Sequence, residues 1–235
     1  MKKKIVIIPA RIGSKRIPKK NIKKFCGKPI IEYSIHAAIE SNIFDEVMVS
    51  TDSSEIAAIA KQLGANVPFY RSKELSGDYA STAQVVMEVL QEYKSRNENY
   101  DYACCIYPTA PFLTADIIRD AEELMEKYEP AELIGVVEFS YPPQRCYRID
   151  ENGLMEYKYK EYINTRSQDL EKLYHDAGQI YIYNVKEFYR QNGQIDSGIM
   201  PMVMSPLIVQ DIDTEDDWKL AELKYKILRE KNNYD

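Results

Sequence analysis

A loop rich in lysine and arginine follows the first apolar run of the sequence. The run 5–10 ends at Arg11, and between Arg11 and Lys28 there are eight basic residues and no Asp or Glu. The whole chain carries a net charge of -6, so everything outside this segment sums to -14. A nucleic-acid surface usually spreads its basic residues over a face, which makes nucleic acid a poor candidate partner. The segment instead predicts a small polyanion held at one place, bound by a phosphate-binding loop over 11–21.

The loop matches neither of the two commonest nucleotide-binding patterns, because G-x-G-x-x-G and G-x-x-x-x-G-K-[ST] are both absent. A solvated basic loop is the simpler alternative. Its position favours phosphate, since ligands of doubly wound sheets bind beyond the carboxyl ends of the strands, and this is the first such loop.

Two aspartates near the end of the sequence are candidate metal ligands. Asp211 and Asp213 are separated by one residue, so at the end of a strand their side chains would point to the same face. Mg²⁺ prefers a few carboxylates together with substrate phosphates. Asp-Ile-Asp before Thr214 is also an ordinary helix-capping arrangement, and these residues alone leave both interpretations open.

A third group of polar residues lies between 161 and 179. Arginine is the side chain best shaped to hold a carboxylate through two hydrogen bonds, although an arginine in a polar loop is most often solvated. The sequence alone does not decide between these interpretations. The group consists of Arg166, Gln168, Tyr174, His175 and Gln179.

Alternating strands and helices must position these residues. Short apolar runs predict strands at 5–10, 46–51, 66–71, 102–107, 133–139, 179–184 and 207–213. Capping residues and apolar stripes predict helices that begin near Pro29, Ser54, Thr82 and Thr114, and a closing helix around Trp218. This alternation predicts an α/β fold with a mostly parallel, doubly wound, Rossmann-like sheet covered on both sides. The length fits one domain, 1–235.

The regular alternation of predicted strands and helices ends after residue 139. Residues 145–159 alternate around Glu151-Asn-Gly153, which is typical of a hairpin turn, and an irregular polar stretch follows. We interpret 140–178 as an inserted lobe.

Composition limits the setting of the protein. No apolar run approaches the roughly 20 residues that cross a bilayer, and the initial run is too short for a signal-peptide core, so we expect a cytoplasmic protein without a membrane partner. The four cysteines form no C-x-x-C pair and lie at no zinc-ligand spacing, which favours reduced thiols.

The sequence resembles the CMP-nonulosonate (sialic acid-type) synthetases over nearly its whole length. Five segments carry the resemblance: IPARIGSKRIPKKN at 8–21, VSTD at 49–52, RSKEL at 71–75 with AST at 80–82, YPTAP at 107–111, and QDIDTEDDW at 210–218. Within that family, 139–145, 161–170 and 174–179 are most similar to members that act on pseudaminic acid.

The resemblance implies a nucleotide-diphosphosugar transferase-like fold whose lobe serves dimerisation and sugar binding. It implies transfer of CMP from CTP to the anomeric hydroxyl of a nine-carbon 2-keto acid sugar, with Mg²⁺ or Mn²⁺, in a homodimer. It also implies roles for individual residues. The triphosphate would contact Arg11, Ser14, Lys15 and Lys20, and the cytidine would contact Asn21, Arg71 and Thr82. The metal would be held by Asp211 and Asp213, the sugar by Tyr107, Arg166, Gln168, Tyr174, His175 and Gln179, and catalysis would depend on Arg11, Lys20 and Asp211.

Two alternatives remain at this point. Members of the family act on N-acetylneuraminate or legionaminate, but Tyr107 stands where the sialic acid enzymes have Gln, which argues against N-acetylneuraminate. A non-catalytic nucleotide-binding module on the same fold is a rival of another class, because a fold does not imply a function.

Overall fold

The computed structural model of the chain describes residues 2–232, in which ten strands and six α-helices alternate. The strands are β1 (Lys4–Pro9), β2 (Lys24–Phe25), β3 (Lys28–Pro29), β4 (Glu46–Ser50), β5 (Tyr102–Ile106), β6 (Glu132–Glu138), β7 (Tyr147–Ile149), β8 (Met155–Tyr157), β9 (Tyr174–Asn184) and β10 (Ile199–Val203). The helices are α1 (Ile30–Ser41), α2 (Ser54–Gln62), α3 (Thr82–Ser95), α4 (Ala115–Tyr128), α5 (Val185–Arg190) and α6 (Glu215–Asn232).

Six of the strands form one sheet in the order β10-β6-β9-β5-β1-β4. β1 pairs in parallel with β4 and β5, and β6 pairs in parallel with β10. Only β9 runs against its neighbours in this sheet, pairing antiparallel with β5 and β6. The predicted α/β fold with a mostly parallel sheet is confirmed.

The alternation of side chains along β1 divides the core into two layers. Val6 and Ile8 face one layer, where they join buried residues of α1, α2 and α4, whereas Ile5 and Ile7 face the other with residues of α3 and α5. Successive side chains of a strand point to opposite faces, so a strand covered on both sides reads as a continuous apolar run.

A third apolar cluster joins the basic loop to the last helix. Ile17 of the loop and Ile212 are almost completely buried, and they share this cluster with Trp218 of α6. The other buried members are Phe25, Ile30, Phe112 and Ala221. The cluster therefore fixes the basic loop relative to the segment that carries Asp211 and Asp213, although Ile17 and Ile212 are 195 positions apart in the sequence.

Capping side chains define the predicted starts of three helices. The hydroxyls of Ser53, Ser81 and Thr114 each accept a hydrogen bond from a backbone N–H in the first turn of α2, α3 and α4. These bonds satisfy donors that have no partner inside the helix.

Two predicted strands are wrong. In 66–71, Asn66 makes a single parallel bridge to Met48, and the chain then bends at Pro68, which has no N–H to donate to a ladder. The run 207–213 begins in a 3-10 turn at Pro206–Ile208 and continues without regular structure to the start of α6.

The inserted segment holds the predicted hairpin, in which β7 and β8 pair outside the central sheet. β9 already begins at Tyr174, inside the end of the predicted 140–178 lobe, and the extent of the lobe stays a prediction. The predicted domain 1–235 includes residues 1 and 233–235, which lie outside the described residues. Between residues 2 and 232, no helix combines the length and apolar character needed to cross a membrane.

Candidate active site

A cavity of about 560 Å³ opens where β1 and β5 end. Pro9, the last residue of β1, and Tyr107, which follows β5, both line it. All seven residues predicted to bind the nucleotide lie in its wall, namely Arg11, Ser14, Lys15, Lys20, Asn21, Arg71 and Thr82. The position agrees with the rule that ligands of such sheets bind beyond the carboxyl ends of the strands.

Three contacts fix the shape of the basic loop. The backbone N–H of Ile12 donates to the Asp52 carboxylate at 3.0 Å, and the Asn21 side-chain amide donates to the Arg11 carbonyl at 2.9 Å. Ile17 is buried in the third apolar cluster. Asn21 thus lines the cavity and also closes the loop on itself, while the aspartate of the VSTD segment holds the beginning of the loop.

One side of the cavity joins two basic side chains to Asp213. The Asp213 carboxylate lies 2.9 Å from the Arg16 guanidinium and 3.3 Å from the Lys20 ammonium. Lys20 also donates to the Ile212 carbonyl at 2.6 Å. Sequence reasoning missed Arg16 as a site residue, and its place in the eight-residue basic segment was the available signal.

A second carboxylate, that of Asp78, forms ion pairs with two further basic residues of the loop. Asp78 lies 2.6 Å from the Arg11 guanidinium and 2.5 Å from the Lys15 ammonium. The hydrogen bonds from Lys15 and Arg11 lower the pKa of the Asp78 carboxyl. Asp78 also lines the cavity, and nothing in its sequence neighbourhood distinguished it from an ordinary turn aspartate.

The remaining wall is less charged. Arg71 is buried and donates to the hydroxyl and the carbonyl of Ser50 at 3.0 and 2.6 Å, and its burial lowers the pKa of the guanidinium. Thr82, the first residue of α3, shares a hydrogen bond of 2.8 Å with the Tyr107 hydroxyl. Burial raises the pKa of Tyr107, which favours the neutral phenol. This wall offers hydrogen-bonding groups beside Leu75, Ala80 and Val85.

Asp211 and Asp213 are suited to a hard divalent cation. Desolvation, and after it the charge of the neighbouring Asp213, raises the pKa of the Asp211 carboxyl. Asp213 lines the cavity, whereas Asp211 does not. Within residues 2–232 no cluster of three or more Asp, Glu, His or Cys side chains could hold a metal. Mg²⁺ can be bound by two carboxylates when phosphate and water oxygens supply its remaining ligands. The predicted strand 207–213 is absent, and the two aspartates lie in irregular chain on either side of the buried Ile212.

The residues predicted for the sugar are dispersed. Tyr107 lines the cavity, whereas Arg166, Gln168, Tyr174, His175 and Gln179 do not. Arg166 is 72% exposed and pairs with Asp169 at 2.7 Å, and Gln168 lies in the same exposed turn. The His175 ring packs on Phe139 with centroids 4.7 Å apart, beside the exposed Tyr174.

Gln179 is buried next to the start of the YPTAP segment. Its side-chain amide donates to the Ile208 carbonyl at 2.7 Å, and its backbone carbonyl accepts from the Tyr107 N–H at 3.0 Å. The side chain is 1% exposed, so in this chain Gln179 positions the start of the YPTAP segment.

Comparison with known proteins relates this arrangement to one group of enzymes. A family model described as cytidylyltransferase matches residues 5–201. The chain is 42% identical over 228 residues to a pseudaminic acid cytidylyltransferase of Campylobacter jejuni, covering 97% of this chain and 98% of the relative. It is 34% identical to a CMP-N,N'-diacetyllegionaminic acid synthase of Legionella pneumophila, covering 93% and 94% of the two chains.

A solved structure shares the fold at low identity. It is a CMP:2-keto-3-deoxy-manno-octonic acid synthetase complexed with CTP, similar with a TM-score of 0.70 and 16% identity over 97% of this chain and 99% of the other. At this identity the likeness shows the fold alone.

Proposed function

The chain belongs to the cytidylyltransferase family, and on this premise we propose that it transfers CMP from CTP to pseudaminic acid, giving the CMP-sugar and pyrophosphate. The observation that carries the proposal is the cavity at the ends of β1 and β5, whose wall holds four basic side chains of the loop, together with Arg71 and Asp213. The near full-length similarity to a pseudaminic acid enzyme supports the choice of sugar.

The reaction needs positioning and charge neutralisation. The oxygen of the anomeric hydroxyl attacks the α-phosphorus of CTP and its proton passes to solvent, while the bond from that phosphorus to the bridging oxygen breaks and pyrophosphate leaves with the electron pair. Transfer of a phosphorus centre is helped chiefly by fixed positive charge around the phosphate oxygens. We assign this work to Arg11, Lys15 and Lys20, with Arg16 as an addition from the geometry. Asn21 keeps the loop in the conformation that presents them.

We assign Asp211 and Asp213 to Mg²⁺ or Mn²⁺, which when bound supplies positive charge to phosphate oxygens. Ile212 between them is buried, so the backbone at this point is held by the third apolar cluster. Lys20 contacts both the Asp213 carboxylate and the Ile212 carbonyl, which keeps a phosphate-binding side chain next to the proposed metal ligands.

The less charged wall fits the cytidine. Arg71 and Thr82 offer fixed donors and acceptors, and the neutral Tyr107 phenol is hydrogen-bonded to Thr82 in the same wall. We assign the base and ribose to this wall and the sugar acid to the neighbourhood of Tyr107.

We further propose that the protein works as a homodimer and that the lobe of one copy completes the sugar site of the other. Arg166 and Gln168 are exposed and lie outside the cavity of their own chain, which supports a role toward a second copy. The exposed apolar side chains of the β7–β8 hairpin support the same arrangement, because large exposed apolar patches commonly mark contact surfaces.

The state of the four cysteines indicates in which cellular compartment the proposed reaction takes place. Cys104 and Cys105 are buried in β5, Cys26 and Cys146 are half-buried, and none of the four is in a disulfide. Disulfides form and persist in oxidising compartments, so unpaired cysteines support a cytoplasmic enzyme.

A pyrophosphate-release assay tests the proposal. The protein is given CTP and Mg²⁺ with pseudaminic acid, N,N'-diacetyllegionaminic acid or N-acetylneuraminic acid, and we expect the highest kcat/KM with pseudaminic acid. A higher value with the legionaminic acid would favour the second candidate, which the 34% identical Legionella relative supports. Binding of CTP without release of pyrophosphate from it, whichever of the three sugars is added, would indicate a non-catalytic nucleotide-binding module.

A further inference from the structure

Asp78 occupies the basic loop as a phosphate would. Its two carboxylate oxygens contact different cations, one on Arg11 and the other on Lys15. Both cations belong to the group that we assign to the triphosphate, and Asp78 itself lines the same cavity. A carboxylate that bridges two cations inside an anion site competes directly with any anion that enters.

The segment that carries Asp78 has few other attachments. Among residues 2–232, the backbone groups of 77–80 make no hydrogen bond, and the neighbouring Tyr79 side chain is fully exposed. Both ion pairs are open to solvent, with side-chain exposures of 37% for Asp78 and 80% for Lys15. Ion pairs of this kind are weak, so the carboxylate can leave the loop without disturbing the fold.

We propose that Asp78 is a displaceable counter-ion of the basic loop, which an entering polyphosphate replaces and which returns to Arg11 and Lys15 as pyrophosphate departs. The proposal rests on the proposed function and adds a residue that controls which anions occupy the site. A ligand with several negative charges outcompetes the single carboxylate, whereas an ion of low charge does not. Asp78 therefore weakens the hold of the site on the pyrophosphate product.

Calorimetric titration with inorganic pyrophosphate, in EDTA and without nucleotide or sugar, tests this role. We expect Asp78→Asn to bind pyrophosphate about three- to tenfold more tightly than the wild type, because two exposed ion pairs no longer compete. The matched control is Glu74→Gln, which removes the same charge from the preceding exposed turn, where Glu74 makes no ion pair within the described part of the chain. The control should bind pyrophosphate as the wild type does.

Repeating the Asp78→Asn substitution in a Lys15→Met background tests whether the effect comes from the ion pair between Asp78 and Lys15. In Lys15→Met, Asp78 has lost one of its two partners, so the tightening caused by Asp78→Asn should be smaller than in the wild-type background. Unchanged or weaker pyrophosphate binding by Asp78→Asn would overturn the proposal, as would equal tightening by Glu74→Gln, which would indicate net charge alone. Absence of pyrophosphate binding to every variant would also overturn it.

The titration does not depend on the sugar. If the protein released no pyrophosphate from CTP with any sugar acid, the proposed function would fail while a tighter Asp78→Asn complex would still support the counter-ion. If turnover with pseudaminic acid were observed and Asp78→Asn bound pyrophosphate no more tightly, only the counter-ion role would fail.

Discussion

Arg11 shows how a single side chain contributes to the site without contributing much to the fold. Its guanidinium lies in the cavity wall and pairs with the exposed Asp78. Neither partner is part of the buried core. Removing the guanidinium should therefore change the chemistry and leave the folded structure in place.

We expect Arg11→Ala to lower kcat with CTP and the sugar acid by about 10²- to 10³-fold, the usual effect of losing one charge-stabilising contact in the transition state. Its midpoint of thermal unfolding should stay close to that of the wild type. Lys24→Ala is the control, since it removes an exposed cation of the same basic segment that does not line the cavity. Comparable turnover in Arg11→Ala and Lys24→Ala would show that Arg11 does not act on the phosphates.

The place of the basic loop in the cavity wall was predictable, because its residues share a charge and adjoin one strand. Arg11, Lys15 and Lys20 follow β1 within a single loop, but their charge does not distinguish them from Arg16, and the separate roles that we assign to them follow from the family resemblance. Asp78 was not predictable, because its importance lies in contacts with residues far away in the sequence. The sugar residues were the least predictable, since no property of 161–179 tells which of its side chains face a ligand.

At the scale of elements, the first turn of α3 contributes both to the stability of the fold and to the wall of the cavity. The Ser81 hydroxyl accepts from the Gln84 N–H at 3.2 Å, and the Gln84 side chain accepts from the Ser81 N–H at 2.9 Å, which forms a capping box. Thr82, the next residue, lines the cavity. A frayed first turn would therefore move a side chain that we assign to the cytidine.

We expect Ser81→Ala to lower the free energy of unfolding in urea by about 1 kcal/mol, the usual effect of losing such a cap, and also to raise the KM for CTP. Thr114→Ala removes the equivalent cap of α4, whose hydroxyl accepts from the Ile117 N–H at 3.3 Å away from this cavity. It should show the loss of stability with an unchanged KM. A KM effect of the same size in both variants would contradict a local role for the α3 cap.

β10 and the segment 207–213 show where element prediction from sequence reached its limit. Pro201 makes Ile199–Val203 a poor candidate for a strand, yet β10 is accommodated because it lies at the edge of the sheet and pairs on one side only. Leu207-Ile-Val has the composition of a strand, but the preceding Pro206 begins a 3-10 turn. In β10 the pairing with β6, which the sequence does not give, decided the conformation, whereas at 207–213 the proline that precedes the apolar run outweighed its composition.

At the scale of the whole molecule, the sheet order depends on pairings between distant segments. β9 lies between β5 and β6 and runs antiparallel to both, while the other five strands share one direction. The apolar runs predicted a mostly parallel sheet because most strands alternate with helices, but they do not encode which strand is reversed. One consequence is that Glu132, at the start of β6, becomes buried with 7% exposure.

The buried carboxyl of Glu132 makes stability depend on pH. Burial raises its pKa to about 7 from the ordinary value of 4.5, with a further contribution from the charge of Asp176. Between these pH values the folded protein keeps a proton that the unfolded chain has released, so the free energy of unfolding falls as pH rises through this window. Above pH 7 the penalty is complete.

We expect Glu132→Gln to increase the free energy of unfolding in urea by roughly 2–3 kcal/mol at pH 8 and by far less at pH 5, where the folded wild type is already protonated. Glu123→Gln, an exposed substitution on α4, should give equal changes at the two pH values. A Glu132→Gln effect that did not depend on pH would indicate that the carboxyl group is not held protonated by the fold.

The β7–β8 hairpin gives the proposed dimer a surface that can be tested. Ile149 and Met155 are directly paired across the hairpin, so their side chains lie on one face, with exposures of 71% and 67%. The paired rings of Tyr147 and Tyr157 lie on the same face with centroids 4.6 Å apart. Apolar and aromatic side chains at this density form the core of protein interfaces.

We expect Ile149→Asp to weaken the dimer at least about tenfold in light scattering over a dilution series, because a carboxylate would lose its water in an apolar contact. If Arg166 acts across the dimer, kcat/KM for the sugar acid should fall as dilution separates the copies, while the affinity for CTP should stay unchanged. Leu223→Asp, at an exposed leucine of α6, tests whether any exposed apolar residue would serve as well. A dimer lost in Leu223→Asp and kept in Ile149→Asp would move the interface to α6 and would leave Arg166 without the partner site that we assign to it.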